Sequence, residues 1–360
     1  MARAPRVRSL AARRQRGAAT LVVTLALFLA MALATLAVNN NLVFAQRAAL
    51  NLARAAQAHE AAEAAIEWAT AQLNNVHAIG TDCLPSADTA ATSFRDRYLH
   101  LDPTSMRFAA SASQPVCVRG PNGWSCGCPA SGAASVAAPS GTAPAPAFAL
   151  RLISDPHAGV VRVVASGCTE LAGACLPGSS TPTDVTAQIS VSLALFAGLR
   201  TPPAAALTAR PIDAPGLGTD QFFASVFGVD KATWMRQPAV ARIVCSGDCS
   251  SAMVAAVTAG HALIAVDGDL RLGMPVALGS TARPIVIVAN GQVRIESAVA
   301  ITGSVYGGSV AFGGGSLRGA AISETTFDGA PDVTLDTAVL ATLAHDTGSF
   351  VRISGSWRDF

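Results

Sequence analysis

Lysine is almost absent: Lys231 is the only one among 25 basic residues, and with so much alanine beside it this reads as the base composition of the source genome. Charge is sparse at 13% of residues, and none occurs between Arg16 and Arg47. Helix breakers are missing over a longer stretch, with no proline between Arg6 and Leu84 and no glycine between Gly17 and Gly80. Nothing there interrupts a helix. Catalytic patterns are missing too. His59, His77, His100, His157, His261 and His345 stand singly, so no triad can be nominated. No Cys-x-x-Cys pair and no histidine at ligand spacing supports zinc. "GGGS" at 313–316 lacks the Lys-Ser/Thr of a phosphate loop, and its glycines read as tight turns. Asp267 and Asp269 flank a glycine, which reads as a β-turn rather than a calcium site. The chain is therefore expected to have no enzymatic activity, no cofactor and no metal.

What is there begins with basic residues. Arg3, Arg6, Arg8, Arg13, Arg14 and Arg16 precede Gly17 without an acid among them. From Ala18 to Val38 run 21 residues whose only polar members are Thr20, Thr24 and Thr35. A helix needs about 20 residues to cross the hydrocarbon layer, and a secretory apolar region has about 7–15. The length favours spanning. Basic residues stay on the cytoplasmic side, which puts the rest of the chain across the membrane, in the periplasm of a bacterium. The competing reading is a signal peptide cut after Val43-Phe44-Ala45, leaving Gln46 as the first residue.

The helix is expected to continue past the membrane. "RAALNLARAAQAHEAAEAAIEWATAQL" is rich in strong helix formers. Leu52, Ala55, Ala56, His59, Ala62, Ala65, Ile66 and Ala69 trace an apolar stripe at helical spacing. Residues 18–74 would form a rod of about 85 Å. This package of a basic leader ending in "QRG", an uncharged apolar helix and "AAEAAIEWA" resembles the N-terminus of type IV prepilins, and most of all the PilX-like pilus assembly proteins. The resemblance covers residues 13–70. It implies cleavage by a prepilin peptidase between Gly17 and Ala18, with the apolar helix kept in the mature protein. Members of that family mostly carry Phe first and Glu fifth after the cut; Ala18 and Val22 stand there in this chain.

Removing the six leader arginines from a formal charge of +2 leaves −4 on the body, which argues against a nucleic-acid-binding face. The cysteines, Cys83, Cys117, Cys126, Cys128, Cys168, Cys175, Cys245 and Cys249, are even in number and all follow the apolar helix. On the outer side of a membrane that predicts disulfides. Cys168 with Cys175 and Cys245 with Cys249 can close small loops. Cys126 and Cys128 lie too near each other, so Cys83 and Cys117 are the expected partners, in an order the sequence leaves open.

Residues 76–147 read as an irregular loop. Three β-like runs follow at 148–155, 160–168 and 185–195, expected to form an antiparallel sheet against the helix as in a pilin. The predicted domains are a leader (1–17), the pilin helix (18–75), a pilin-like β domain (76–200), a linker (201–218) and a C-terminal domain (219–360). In the last, "DGDLRL", "NGQVRI" and "GGSLRG" place glycines at 268, 291 and 315. A repeat of that period, with short strands between, predicts a parallel β-solenoid. Arg271, Arg294 and Arg318 would stack on one solenoid face, interleaved with Asp269, Glu296 and Asp328 or facing an anionic partner. Residues 221–262 would cap the solenoid. "FFASVFGVDKATWMRQPAV" followed by "VDGDLRL" again resembles the C-terminal part of large PilX-like proteins. Trp124 and Tyr306 are read as packing residues.

The expected fold class is thus α+β: a long N-terminal helix, a small antiparallel sheet and a solenoid head. The resemblance implies a minor pilin that polymerises through its helix and presents the head, at the filament tip. Its partners would be other pilins, the prepilin peptidase, the inner membrane before assembly, and an unidentified surface ligand of the head. Two alternatives compete: an anchored or secreted β-helical protein acting on polysaccharide, and a bactofilin-like polymer.

Overall fold

The structure is a computed structural model, and it describes residues 15–88, 90–137, 139, 145–172, 175–176, 184–211, 218–296 and 298–359. Helix α1 spans Gln15–Asn74. Two compact units divide the chain, residues 1–56 and 57–360. In the first, every side chain from Ala19 to Ala56 is exposed. Two of its threonines are satisfied locally: the Thr24 hydroxyl donates to the Leu21 carbonyl at 2.9 Å and the Thr35 hydroxyl to the Met31 carbonyl at 3.0 Å. Among the described residues one helix is therefore long and apolar enough to cross a membrane.

In the second unit, α1 buries Ala58, Ala61, Ala62, Ala65, Ile66, Ala69 and Leu73. The stripe read from sequence is corrected at its N-terminal end, because Leu52, Ala55 and Ala56 are exposed and Ala58 and Ala61 join the buried face. The alanines let the helix backbone settle on the sheet. A Cβ added at Gly167 would stand 2.0 Å from the Ala58 carbonyl oxygen and 2.4 Å from the Ala62 nitrogen.

After α1 come the short helix α2 (Phe94–Tyr98) and the hairpin β1 (Leu99–Asp102) and β2 (Arg107–Ala110). Strands β3 (Val116–Gly120), β4 (Gly123–Gly127), β5 (Ala147–Ser154), β6 (Val160–Cys168) and β7 (Thr186–Ala197) then pair antiparallel in the order β7-β6-β5-β3-β4. Phe148, Leu150, Leu152, Val161, Val163, Ile189, Val191 and Leu193 face α1, with Trp68 packed against them.

Strand β8 (Leu207–Ala209) lies inside the expected linker. It is followed by α3 (Thr219–Phe227), α4 (Lys231–Met235), β9 (Val240–Ile243) and α5 (Ser250–Thr258). Then come β10 (Leu263–Val266), β11 (Leu270–Leu272), β12 (Val276–Leu278), β13 (Ile285–Ala289), β14 (Gln292–Glu296), β15 (Val299–Gly307), β16 (Ser309–Gly313), β17 (Ser316–Ser323), β18 (Phe327–Gly329) and β19 (Asp332–Thr334). Every pairing among β8–β19 is parallel. One sheet runs β9-β10-β13-β15-β17-β19, with β12 beside β15 and β8 beside β17; the other runs β11-β14-β16-β18. Ile264, Ile287 and Val305 of the first sheet and Leu272, Val293 and Val310 of the second share one core.

Three expectations are corrected here. The spacing of 23 residues holds only as far as β14: Val240 pairs with Leu263 and Leu270 with Val293, but Val293 pairs with Val310. The third "repeat" is consequently not equivalent, and Arg318 lies on β17 opposite Thr302 and Thr334. Residues 221–262 are only partly an end cap. Met253 of α5 joins the inter-sheet core, whereas Phe223, Phe227 and Trp234 cover the opposite face of the larger sheet together with Leu340 and Leu343 of α6 (Thr337–His345). Finally, the segment 219–360 is not self-contained. Strands β20 (Gly348–Arg352) and β21 (Arg358–Asp359) pair antiparallel with β7 and complete the seven-stranded sheet.

Candidate functional site

Gly17 and Ala18 occupy the first turns of α1, and the leader up to Arg14 lies outside the described residues. Beyond them the helix presents Leu21, Leu25, Phe28, Leu33, Leu36 and Phe44, all exposed. Soluble monomers rarely leave so continuous an apolar surface uncovered, and such surfaces mark membrane or protein contact.

The cysteines form four disulfides: Cys83–Cys128, Cys117–Cys126, Cys168–Cys175 and Cys245–Cys249. Cys117 and Cys126 are cross-strand neighbours on β3 and β4. Cys83–Cys128 ties the loop after α1 to the end of β4, and Cys245–Cys249 closes the turn into α5.

The arginines divide. Arg271 and Arg294 are register partners on the smaller sheet and share one carboxylate, with their Nε atoms 3.6 and 2.9 Å from Glu296 Oε1. The position after Arg294 in that register is Ala311, and the next is Asp328. Asp269 accepts from the Gln292 backbone N–H at 2.8 Å. Arg318 instead donates to Asp336 at 2.6 Å, and Asp336 also accepts from Ala338 and Val339 as the N-cap of α6. Tyr306 is buried and donates to Glu324 at 2.8 Å, beside Lys231 Nζ at 2.5 Å from the same oxygen. Trp124 packs on Phe148 with centroids 4.7 Å apart and ring planes tilted by 58°.

A groove of about 370 Å³ opens where the end of α1, the Ser93–Asp96 segment, the loop after β12 and the start of β20 meet. On one wall the Arg95 guanidinium lies over the Phe108 and Phe350 rings, 5.6 and 5.2 Å from their centroids, and bonds both the Asp346 carboxylate, at 3.0 Å, and its carbonyl. Burial pulls the Arg95 pKa down against the pull of Asp346 and Asp96, and burial pushes Asp346 up against the pull of Arg95. His261 also lines the groove, with its Nδ1 buried and without a hydrogen-bond partner among the described residues. Burial and then the neighbouring His77 ring, 6.4 Å away, lower its pKa, while its bond to the Ala239 backbone acts the other way. At the mouth Arg283 is presented on a turn closed by Ser280 N–H to the Arg283 carbonyl at 3.1 Å and Arg283 N–H to the Ser280 carbonyl at 3.2 Å. None of these groove residues carries a sequence signal: they are single histidines, arginines and aspartates from distant segments, Arg95 and Asp346 being 251 residues apart.

Among the described residues no three His, Cys, Asp or Glu side chains are grouped to hold a metal ion. Comparison with protein-family models, curated proteins and solved structures found no match.

Proposed function

We propose that the chain is a minor pilin of the PilX-like kind, assembling through its N-terminal helix and presenting its body outside the membrane. The observation that carries this reading is α1 itself. Residues 19–38 are apolar, exposed and long enough for a bilayer, and residues 58–73 carry an alanine face seated on an antiparallel sheet. A plain anchor needs no such second half. The disulfides agree with an oxidising compartment, and the arginine leader with insertion from the cytoplasm.

The head is a short solenoid in this reading. Successive strand triplets β10-β11-β12 and β13-β14-β15 follow one another in matched parallel register, and each contributes to both sheets. The filament tip is its place. In lipid a carboxylate without a partner is expensive, and Val22, where ordinary pilins carry Glu, has nothing to offer an amine on a subunit ahead. N-terminal peptide mass spectrometry of the protein recovered from membranes tests the proposal. A first residue at Ala18 is expected, and a bulky residue at position 17 should leave the leader attached. A first residue at Gln46 would mean ordinary secretion and overturn it.

A further inference from the structure

We propose that the groove between the end of α1 and the turn at Ser280–Arg283 binds an aliphatic α-amino acid unit bearing a free carboxylate, either as a free molecule or as the last residue of a peptide. This inference does not depend on the pilin reading.

Four observations converge on it. The groove's volume of about 370 Å³ lies in the range of small-molecule sites, about 300–1,000 Å³. Its apolar lining is aliphatic, from Leu73, Val76, Val257, Leu263, Pro284 and Ile285. Leu73, Leu263, Pro284 and Ile285 are buried, so Val76 and Val257 offer the open apolar surface for a branched alkyl side chain, and the lining residues include no Phe, Tyr or Trp platform for a sugar face or an aromatic ring. The third observation is His261. Its Nδ1 is buried and has no hydrogen-bond partner among the described residues. A buried ring nitrogen with no partner calls for one from outside the chain, and in the neutral ring the amine or amide N–H of such a ligand supplies it. The fourth is Arg283. Its side chain is 74% exposed, and its one ion pair among the described residues, with Asp96, is long at 3.5 Å. A guanidinium in that state can turn its planar fork to a carboxylate and make two parallel bonds. Arg95 and Asp346, by contrast, already satisfy each other on the groove wall. Asp96, left by Arg283, stays close enough to balance a free ammonium group.

Calorimetric titration of the full chain in lipid nanodiscs, with L-leucine, N-acetyl-L-leucine and L-leucinamide as probes, tests this. Saturable binding of either acid is expected, with leucinamide at least about tenfold weaker because it cannot engage Arg283. Stronger binding of N-acetyl-leucine identifies a chain end as the source of the ligand, and stronger binding of leucine a free amino acid. Arg283→Gln and His261→Phe should each weaken the acids about tenfold at unchanged melting temperature. Arg283 is exposed, so its replacement leaves folding intact and keeps the test decisive if the histidine variant is unstable. No saturable heat from either acid, equal binding of the amide, or full binding by Arg283→Gln would overturn the proposal.

Discussion

The Asn74 side chain pairs with both backbone groups of Phe350, accepting from its N–H at 2.7 Å and donating to its carbonyl at 2.9 Å, across 276 residues. The amide thus imitates a neighbouring strand along β20, at the point where α1 ends. Replacing Asn74 by Ala leaves a buried donor and acceptor without partners, for a loss of about 1–3 kcal/mol. Asn74→Asp keeps the acceptor and loses the donor, so it should fall between the two. Urea denaturation measures both, and an unchanged midpoint for Asn74→Ala would show that water replaces the amide.

The seating of α1 on β6 leaves no room at Gly167, where an added Cβ meets helix backbone rather than a movable side chain. Gly167→Ala should therefore cost at least about 1–3 kcal/mol by forcing helix and sheet apart. The same denaturation series reads the effect. A wild-type midpoint for this variant would mean that the alanine face tolerates a wider separation than the structure gives.

Arg271 and Arg294 share Glu296, and Arg318 has a partner of its own in Asp336. A double-mutant cycle on Arg271→Ala and Arg294→Ala should consequently be non-additive, since removing one arginine frees the carboxylate for the other. The cycle pairing Arg294→Ala with Arg318→Ala should add to within about 0.3–0.5 kcal/mol. Equal coupling in both cycles would contradict the division of the arginines between the two sheets.

Asp336 gives a prediction in pH. The Val339 backbone N–H, then Arg318, hold its carboxyl below the usual carboxylate range. A depressed folded pKa contributes stability that is present above the unfolded value, about 4, and is lost as pH falls through the folded one. Melting temperature should therefore drop on the acid side of about pH 4, and Asp336→Asn should make that drop shallower. An identical acid limb in the variant would remove Asp336 from the account.

Much of this architecture is legible in the residues, and the losses have physical causes. The run predicted at 160–168 matches β6, and those at 148–155 and 185–195 match β5 and β7 to within two residues, because alternation over eight or more positions leaves few other solutions. The helix ending at Asn74 follows from the absence of breakers before Gly80. The arginine ladder fails for a different reason. Motif spacing measures the chain along a coil, and the coils shorten from 23 residues in the step from Leu270 to Val293 to 17 in the step from Val293 to Val310. A sequence period locates one pair and then slips. The outward residues Val286, Val288 and Ile322 are apolar because α3, α4 and α6 cover them, so those strands read as apolar throughout with no alternation to orient them. The groove was invisible because its polar groups come from loops distant in sequence and have no shared pattern.

Gly348 of β20 pairs with Ala197 at the end of β7. Everything between them, the whole parallel-stranded stretch, must therefore be made and carried across before the seven-stranded sheet can acquire that edge. Pairing over so long a loop is slow, and until it occurs β7 offers an open strand edge to its surroundings. The order of emergence makes this edge the place at which a helper protein, or a wrong neighbour, has its opportunity.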